Sequence, residues 1–169
     1  MRKMTLAFPA SGLIMTLLLS LPAAANTISL SLAKPAQAAV PGAILSFIAT
    51  VSAPVTNTGA VFLNGDSATV DYPLTLDDSG FLFYFPLSLA PGGSYTGTLF
   101  TVNLPTFAAT GVTYNGYFEI DGGADGNALL PLASVTFQVN SVPEPGSVIL
   151  LLTGLSGLVL AFRRNHRSH

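Results

Sequence analysis

The side chains of residues 43–51, AILSFIATV, divide into two sets that alternate along the segment. One face of the segment carries Leu45, Phe47, Ala49 and Val51, and the other carries Ile44, Ser46, Ile48 and Thr50. Successive side chains of a β-strand point to opposite faces of its sheet, so this period of two predicts a half-buried strand.

The same alternation occurs twice more. In YNGYFEI (114–120), one face carries Tyr114, Phe118 and Ile120. In VTFQVN (135–140), one face carries Val135, Phe137 and Val139. Turn-forming residues recur between such segments, at Pro41-Gly42, Asn64-Gly65, Asp78-Ser79-Gly80, Pro91-Gly92-Gly93 and Asp121-Gly122-Gly123. About seven or eight short strands in one stretch predict an all-β fold, a single antiparallel immunoglobulin-like sandwich over residues 26–141.

The first residues have the layout of a secretory signal peptide. Arg2 and Lys3 precede an apolar stretch that ends in small residues, and Ala23 and Ala25 form an A-x-A site. This order predicts a signal peptide over residues 1–25, which signal peptidase cleaves between Ala25 and Asn26. A permanent N-terminal anchor is the alternative.

The body between the two termini is acidic. Over residues 26–142 Lys34 is the only cation against seven carboxylates, which gives a net charge of −6. One cation cannot neutralise several phosphates, so nucleic acid and anionic lipid are poor partners.

The residue types that are absent from the body exclude several kinds of catalytic and metal-binding site. The chain has no cysteine, and its two histidines, His166 and His169, lie beyond the C-terminal apolar run. The body therefore has no disulfide, no thiolate nucleophile, no Ser-His-Asp triad and no histidine-ligated metal. We expect no cofactor.

The C-terminal segment, VPEPGSVILLLTGLSGLVLAFRRNHRSH (142–169), has three parts. Pro143 and Pro145 fix the backbone, so VPEP at 142–145 should be extended and unable to join a helix. Residues 147–162 are uncharged and predict a transmembrane helix about 24 Å long, slightly short for a bilayer. The basic residues beyond it, Arg163, Arg164 and Arg167, predict a cytoplasmic end at residues 163–169.

The order of these parts resembles the PEP-CTERM sorting signal of Gram-negative bacteria. In this sequence the signal comprises Pro143-Glu144-Pro145, the apolar run and the arginines. The resemblance implies an exosortase that removes the tail, a transient stay in the inner membrane, and delivery to the cell surface or an exopolysaccharide matrix. Taken alone, VPEP is equally compatible with a rigid spacer. Residues 88–105, SLAPGGSYTGTLFTVNLP, resemble the strand–turn–strand of bacterial surface immunoglobulin-like and fibronectin-like modules.

Four segments are candidate sites, each with a simpler reading. Asp121, Asp125 and Asn127 supply oxygen ligands for calcium, but DGGADGN lacks the order of a calcium loop and favours a plain turn. Asp77 with Asp78, or Asp66 with Asp71, could form a glycosidase carboxylate pair, and solvated turn residues are the favoured reading. FLFYFPLSL (81–89) is either an exposed aromatic patch or, as we prefer, a core strand. Thr96-Gly97-Thr98 with Thr101 offers a threonine row, which is ordinary in a strand.

The sequence thus predicts a non-enzymatic exported protein that is sorted through its C-terminal tail. A carbohydrate- or ice-binding module on the same route is the alternative.

Overall fold

A computed structural model describes residues 26–144, 146, 149–150 and 152–156. The predicted signal peptide, the basic residues and part of the apolar run lie outside the described residues. The elements are β1 (Ser29–Leu32), β2 (Ala36–Ala39), β3 (Ile44–Ser52), β4 (Val61–Val70), β5 (Thr75–Asp77), α1 (Ser79–Tyr84), β6 (Ser88–Leu89), β7 (Ser94–Asn103), β8 (Thr113–Gly123) and β9 (Leu130–Ser141).

The strands form two sheets. The first has the order β1-β3-β7-β5, and the second has the order β2-β9-β8-β4-β6. The predicted all-β architecture is confirmed at this level, as two sheets with one core between them.

The prediction of a purely antiparallel sandwich is wrong for one pair, because β2 runs parallel to β9. Pro35 separates β1 from β2 and has no amide hydrogen, so the ladder of β1 with β3 stops there. The chain then crosses to the second sheet, where the Pro35 carbonyl accepts from the Gln138 N–H at 2.8 Å.

Four phenylalanine rings join the sheets at the centre of the core. Phe47 and Phe100 come from the first sheet, and Phe118 and Phe137 come from the second. Phe100 contacts the other three at ring-centroid distances of 4.7 to 5.0 Å. The inward faces predicted for 43–51 and 114–120 are buried, which confirms the period-two reading.

Two predicted turns lie inside strands instead. Asn64-Gly65 forms a bulge in β4, and Asp121-Gly122-Gly123 is the last part of β8. The two segments pair with each other, since Gly65 lies opposite Asp121. The cross-strand ladder therefore outweighs local turn preference, and the actual turn follows at residues 124–127.

The prediction of a core strand over residues 81–89 is wrong for residues 81–84, although Phe81, Phe85 and Leu89 do belong to the core. Residues 79–84 form α1, which packs Phe81 against Phe118 and leaves Leu82, Phe83 and Tyr84 exposed. Phe81 and Phe85 are four residues apart, which is the spacing of one helix face. The helix packs against β7, and Phe85 contacts Tyr95 of that strand.

The chain enters and leaves the sandwich at opposite ends. The entry end contains Asn26 and the loops 53–60, 90–93 and 124–129. The exit end contains Ser141 and the loops 40–43, 71–74 and 104–112. At the exit end Gly42 has a φ of 92° in its turn, a conformation that glycine adopts without a steric penalty.

Candidate sorting and processing site

The body is hydrogen-bonded up to the residue that precedes the Pro-Glu-Pro motif. Ser141, the last residue of β9, is 2% exposed, and its N–H donates to the Val112 carbonyl at 2.9 Å. Its carbonyl accepts from the Gly111 N–H at 2.7 Å, and the Val142 N–H donates to the Ala39 carbonyl at 2.9 Å. The sandwich therefore ends at Val142.

The motif itself lies outside the sheets. Val142, Pro143 and Glu144 are exposed and have no regular secondary structure, as the two prolines predict. Pro145 lies outside the described residues. A processing enzyme binds its substrate peptide from several sides, which requires this kind of exposed segment. Cleavage after residue 142 would leave every strand of the body intact.

The residues after the motif begin a helical segment. The Leu150 N–H donates to the Gly146 carbonyl at 2.9 Å, and residues 149–150 and 152–156 are helical and exposed. Within the residues that the structure describes, no helix has the length and apolarity to span a membrane. The predicted transmembrane helix over 147–162 is only partly described, and Arg163, Arg164 and Arg167 are outside, so both stay predictions.

The predicted signal peptidase site lies at the other border of the body. Asn26 Oδ1 accepts from the N–H and Oγ1 of Thr58 at 3.1 and 3.2 Å. Thr27 and Asn57 exchange two more hydrogen bonds, at 3.1 and 2.8 Å. Asn26, which directly follows the predicted scissile bond, is thus hydrogen-bonded to the body. Ala23 and Ala25 are not among the described residues.

The calcium candidates lie in a loop that hydrogen-bonds to itself. Asp125 Oδ1 accepts from the N–H groups of Asn127 and Ala128 at 2.9 and 3.1 Å. Asn64 Nδ2 donates to the carbonyls of Asp125 and Ala128, both at 2.8 Å. Asp121 is on β8, and the described part of the chain has no cluster of three metal-binding acidic side chains. This geometry favours the plain turn.

Asp77 of the first candidate carboxylate pair is used in a local hydrogen bond, and the members of the second pair lie far apart along one strand. Asp77 Oδ1 accepts from the Ser79 N–H at 2.9 Å before α1, and this bond lowers the pKa of Asp77. Asp66 and Asp71 are five residues apart along β4 and the residue after it, or about 16 Å at the rise of a strand. Glycosidase carboxylates are about 5 to 9.5 Å apart.

The raised pKa of Asp66 could not be predicted from the residues around it in the sequence. Burial, together with the negative charges of Asp78 and Asp121, raises the pKa of Asp66 to about 6. Asp66 pairs with Ile120 of β8, so its side chain is on the inward side of the sheet. Asp66 comes close to Asp121 because β4 pairs with β8, a strand that is distant in the sequence.

The outer face of the second sheet carries a polar group that the sequence also did not reveal. The Tyr117 hydroxyl donates to Glu119, which raises the pKa of Tyr117. Gln138 Nε2 donates to Asn115 Oδ1 at 3.3 Å, and an open pocket of about 390 Å³ lies beside them. The pocket is lined by Pro35, Ala36, Asn115, Gly116, Thr136, Phe137 and Gln138.

The threonine row belongs to the outer face of the first sheet. Thr96 Oγ1 and Thr50 Oγ1 are 2.8 Å apart, and Ser52 Oγ and Ser94 Oγ are 2.9 Å apart. These hydroxyls bond to one another across β3 and β7, as is ordinary for strand pairs. Thr98 lies opposite Ile48, and Thr101 lies opposite Ser46.

An all-β body that is followed by an exposed Pro143-Glu144 defines a class of protein, namely a folded domain with a separate C-terminal segment. Residues 141–165 match the family model of the PEP-CTERM protein-sorting motif. This match supports exosortase-dependent sorting of an exported, cell-surface protein. It covers the tail and leaves the body unassigned.

Comparisons of the whole chain with curated proteins and solved structures do not assign a family to the body. No curated protein matches it. Among solved structures, the chain is similar to the sixth cohesin of scaffoldin B from Acetivibrio cellulolyticus, crystallised in complex with a mutant Cel5 dockerin. The identity is 14% and the TM-score is 0.32, with 69% of this chain and 98% of the cohesin covered.

Proposed function

We propose that this protein is a non-enzymatic component of the cell surface or exopolysaccharide matrix, released from its membrane tail by an exosortase within residues 142–145. The observation that carries the proposal is the abrupt border at Val142. Ser141 is buried and hydrogen-bonded, whereas Pro143 and Glu144 are exposed. The sorting motif is therefore accessible without any unfolding of the body.

The acidic residues of the body support a non-enzymatic role. Asp77 and Asp125 are used in local hydrogen bonds, and Asp71 accepts from Asn115. Burial and the nearby charges of Asp78 and Asp121 raise the pKa of Asp66, whereas Asp71, its candidate catalytic partner, is too far along the strand. A structural or adhesive role needs a stable exported sandwich and no reacting group.

The test is the intact mass of the protein recovered from membrane and extracellular fractions of a host with the exosortase. We expect a species that starts at Asn26 and ends within residues 142–145. The same host without the exosortase should retain the full tail. A species that still carries Arg163 and Arg164 in both hosts would contradict the proposal and leave a single-pass membrane protein.

Substitutions locate the processing determinant. Pro143→Ala with Glu144→Gln should stop release of the tail, because the motif is the segment presented to the enzyme. Pro91→Ala is the matched control, since Pro91 is also exposed but lies at the entry end. Equal processing of both variants would place recognition elsewhere.

The polar face of the second sheet favours a second candidate function, the binding of a neutral polysaccharide. Sugars present hydroxyl groups and apolar ring faces, which amide and aromatic side chains contact. Asn115 and Gln138 border the pocket, and Tyr117 lies on the same face of β8 as Asn115. A glycan array should show saturable binding that Asn115→Ala with Gln138→Ala reduces at least roughly tenfold, or about 1.4 kcal/mol. Thr50→Ala on the other sheet is the control. Absence of saturable binding would leave the purely structural role.

A further inference from the structure

The exit end of the sandwich exposes two aromatic side chains. Tyr72 follows β4 and is 86% exposed, and Phe107 lies between β7 and β8 and is 70% exposed. Both residues are in loops that meet at this end, where Ser141 leads into the sorting motif. Ile44 and Val112 at the same end are also exposed, and exposed apolar side chains that are grouped at one place mark an interaction surface.

The loop that carries Phe107 is fixed to the point where the tail leaves. Gly111 and Val112 at its far end exchange hydrogen bonds with Ser141, at 2.7 and 2.9 Å. Its first residue, Leu104, exchanges two with the turn at Gly42 and Ala43, at 2.6 and 2.9 Å. Phe107 therefore has a set position relative to the tail.

The tail limits the distance between this end and a membrane. Residue 147 begins the apolar run, six residues after Ser141. At about 3.3 to 3.6 Å per residue, six extended residues span roughly 20 Å. The entry end lies a full strand length farther away. While the tail is attached, the exit end is the part of the body that reaches the bilayer surface.

The charge of the exit loops is compatible with a lipid surface. Loops 40–43, 71–74 and 104–112 contain one charged residue, Asp71. Its carboxylate accepts from the N–H and Nδ2 of Asn115, at 2.8 and 3.2 Å. Removing these loops from water therefore leaves few charges to desolvate. No cation is present in them, so attraction to anionic headgroups is not involved.

We propose that Tyr72 and Phe107 insert into the headgroup region of the membrane before the tail is removed, and that they hold the body upright on its exit end. The proposal rests on the membrane-attached sorting tail of the proposed function. Amphipathic aromatic rings are favoured at the membrane–water interface. This contact keeps Pro143 and Glu144 close to the surface, where an enzyme embedded in the membrane acts.

Tryptophan fluorescence tests this proposal, because the chain has no tryptophan of its own. Phe107→Trp and Tyr72→Trp each place a single probe at the exit end. Phe83→Trp is the matched control, since Phe83 is 76% exposed but lies on α1 at the side of the sandwich. The chain is purified with its tail from a host without the exosortase and is incorporated into phosphatidylcholine vesicles.

With brominated phosphatidylcholine in the vesicles, we expect both exit-end probes to lose roughly half of their emission and to shift to shorter wavelengths, as rings at the interface do. The Phe83→Trp emission should remain that of a solvated indole. Loss of signal from all three probes would overturn the proposal in favour of a body that lies on its side. Unquenched exit-end probes on chains that float with the vesicles would also overturn it.

Two further outcomes separate this proposal from the proposed function. Quenching that needs added exosortase would make the enzyme, and not the lipid, the partner of Tyr72 and Phe107. Chains that do not float with vesicles at all would lack a membrane-inserting tail, and the proposed function would fail together with this proposal. In that case the intact-mass measurement would also show no tail removal.

Discussion

The core of the sandwich, whose last member along the chain is Val139, and the sorting segment at Pro143 have opposite physical properties. Phe100 is fully buried and contacts three other rings, whereas Pro143 and Glu144 are exposed and outside the sheets. Changes in the core should therefore alter stability and leave the motif chemically unchanged. Changes in the motif should alter sorting and leave stability unchanged.

The largest expected effect is the loss of a central ring. Phe100→Ala should lower the free energy of unfolding of the body by about 3 to 5 kcal/mol, because it leaves a cavity among Phe47, Phe118 and Phe137. Urea denaturation of residues 26–144 measures this. Phe83→Ala on the exposed side of α1 should change it by less than about 0.5 kcal/mol. Equal effects would mean that the rings do not form the core.

The next effect comes from overfilling the same core. A Cβ on Gly116 would lie 2.1 Å from Cζ of Phe137, so Gly116→Ala must displace that ring. We expect a loss of about 1 to 3 kcal/mol in the same denaturation. Gly126→Ala is the control, since nothing lies within 4 Å of its added Cβ. An unchanged Gly116→Ala protein would show that the Phe137 ring has room to move.

A smaller, pH-dependent effect is expected at Asp66, whose pKa is raised to about 6 by burial and by Asp78 and Asp121. The folded state holds this proton more tightly than the unfolded state, so stability from this group falls as pH rises from about 4 to 6. Asp66→Asn removes that loss. It should be more stable than the original protein at pH 8 by an amount on the order of 1 kcal/mol, after allowance for solvent screening, and similar at pH 4.

Thermal unfolding over this pH range measures the difference. Ser67→Asn is the control, because Ser67 is exposed on the same strand and carries no ionisable group. An Asp66→Asn curve parallel to that of the original protein would contradict the raised pKa.

The smallest effect on stability is expected in the motif. Pro143→Ala with Glu144→Gln should leave the unfolding free energy of the body within about 0.5 kcal/mol. The same pair of changes should abolish removal of the tail. A large loss of stability would show that the motif is part of the folded body, and the sharp border at Val142 would then be wrong.

The sequence was sufficient for the strands that have one buried face. Alternation correctly predicted that Phe47, Phe118 and Phe137 point into the core, because each is on a long strand with one solvent-exposed face. It failed at Asn64-Gly65 and at residues 121–123, where pairing between distant segments outweighs local turn preference. It also failed at α1, because Leu82, Phe83 and Tyr84 of that segment face solvent.

The features of the candidate site were likewise predictable only where they depend on local sequence. The exposure of Pro143 and Glu144 follows from proline chemistry, which acts locally and can be read from a few residues. The raised pKa of Asp66 and the grouping of Asn115 with Gln138 depend on which strands become neighbours. Local sequence carries little information about such pairing.

The separation of Asn26 and Ser141 at opposite ends has a consequence for the predicted processing. If the predicted signal peptide and the predicted tail helix both lie in the bilayer, the long axis of the sandwich has to lie along the membrane. The predicted cleavage after Ala25 would then free the entry end and permit the body to rotate through a right angle. On this prediction the first cut sets the geometry in which the second takes place, and loops 53–60, 90–93 and 124–129 become the outermost tip of the protein.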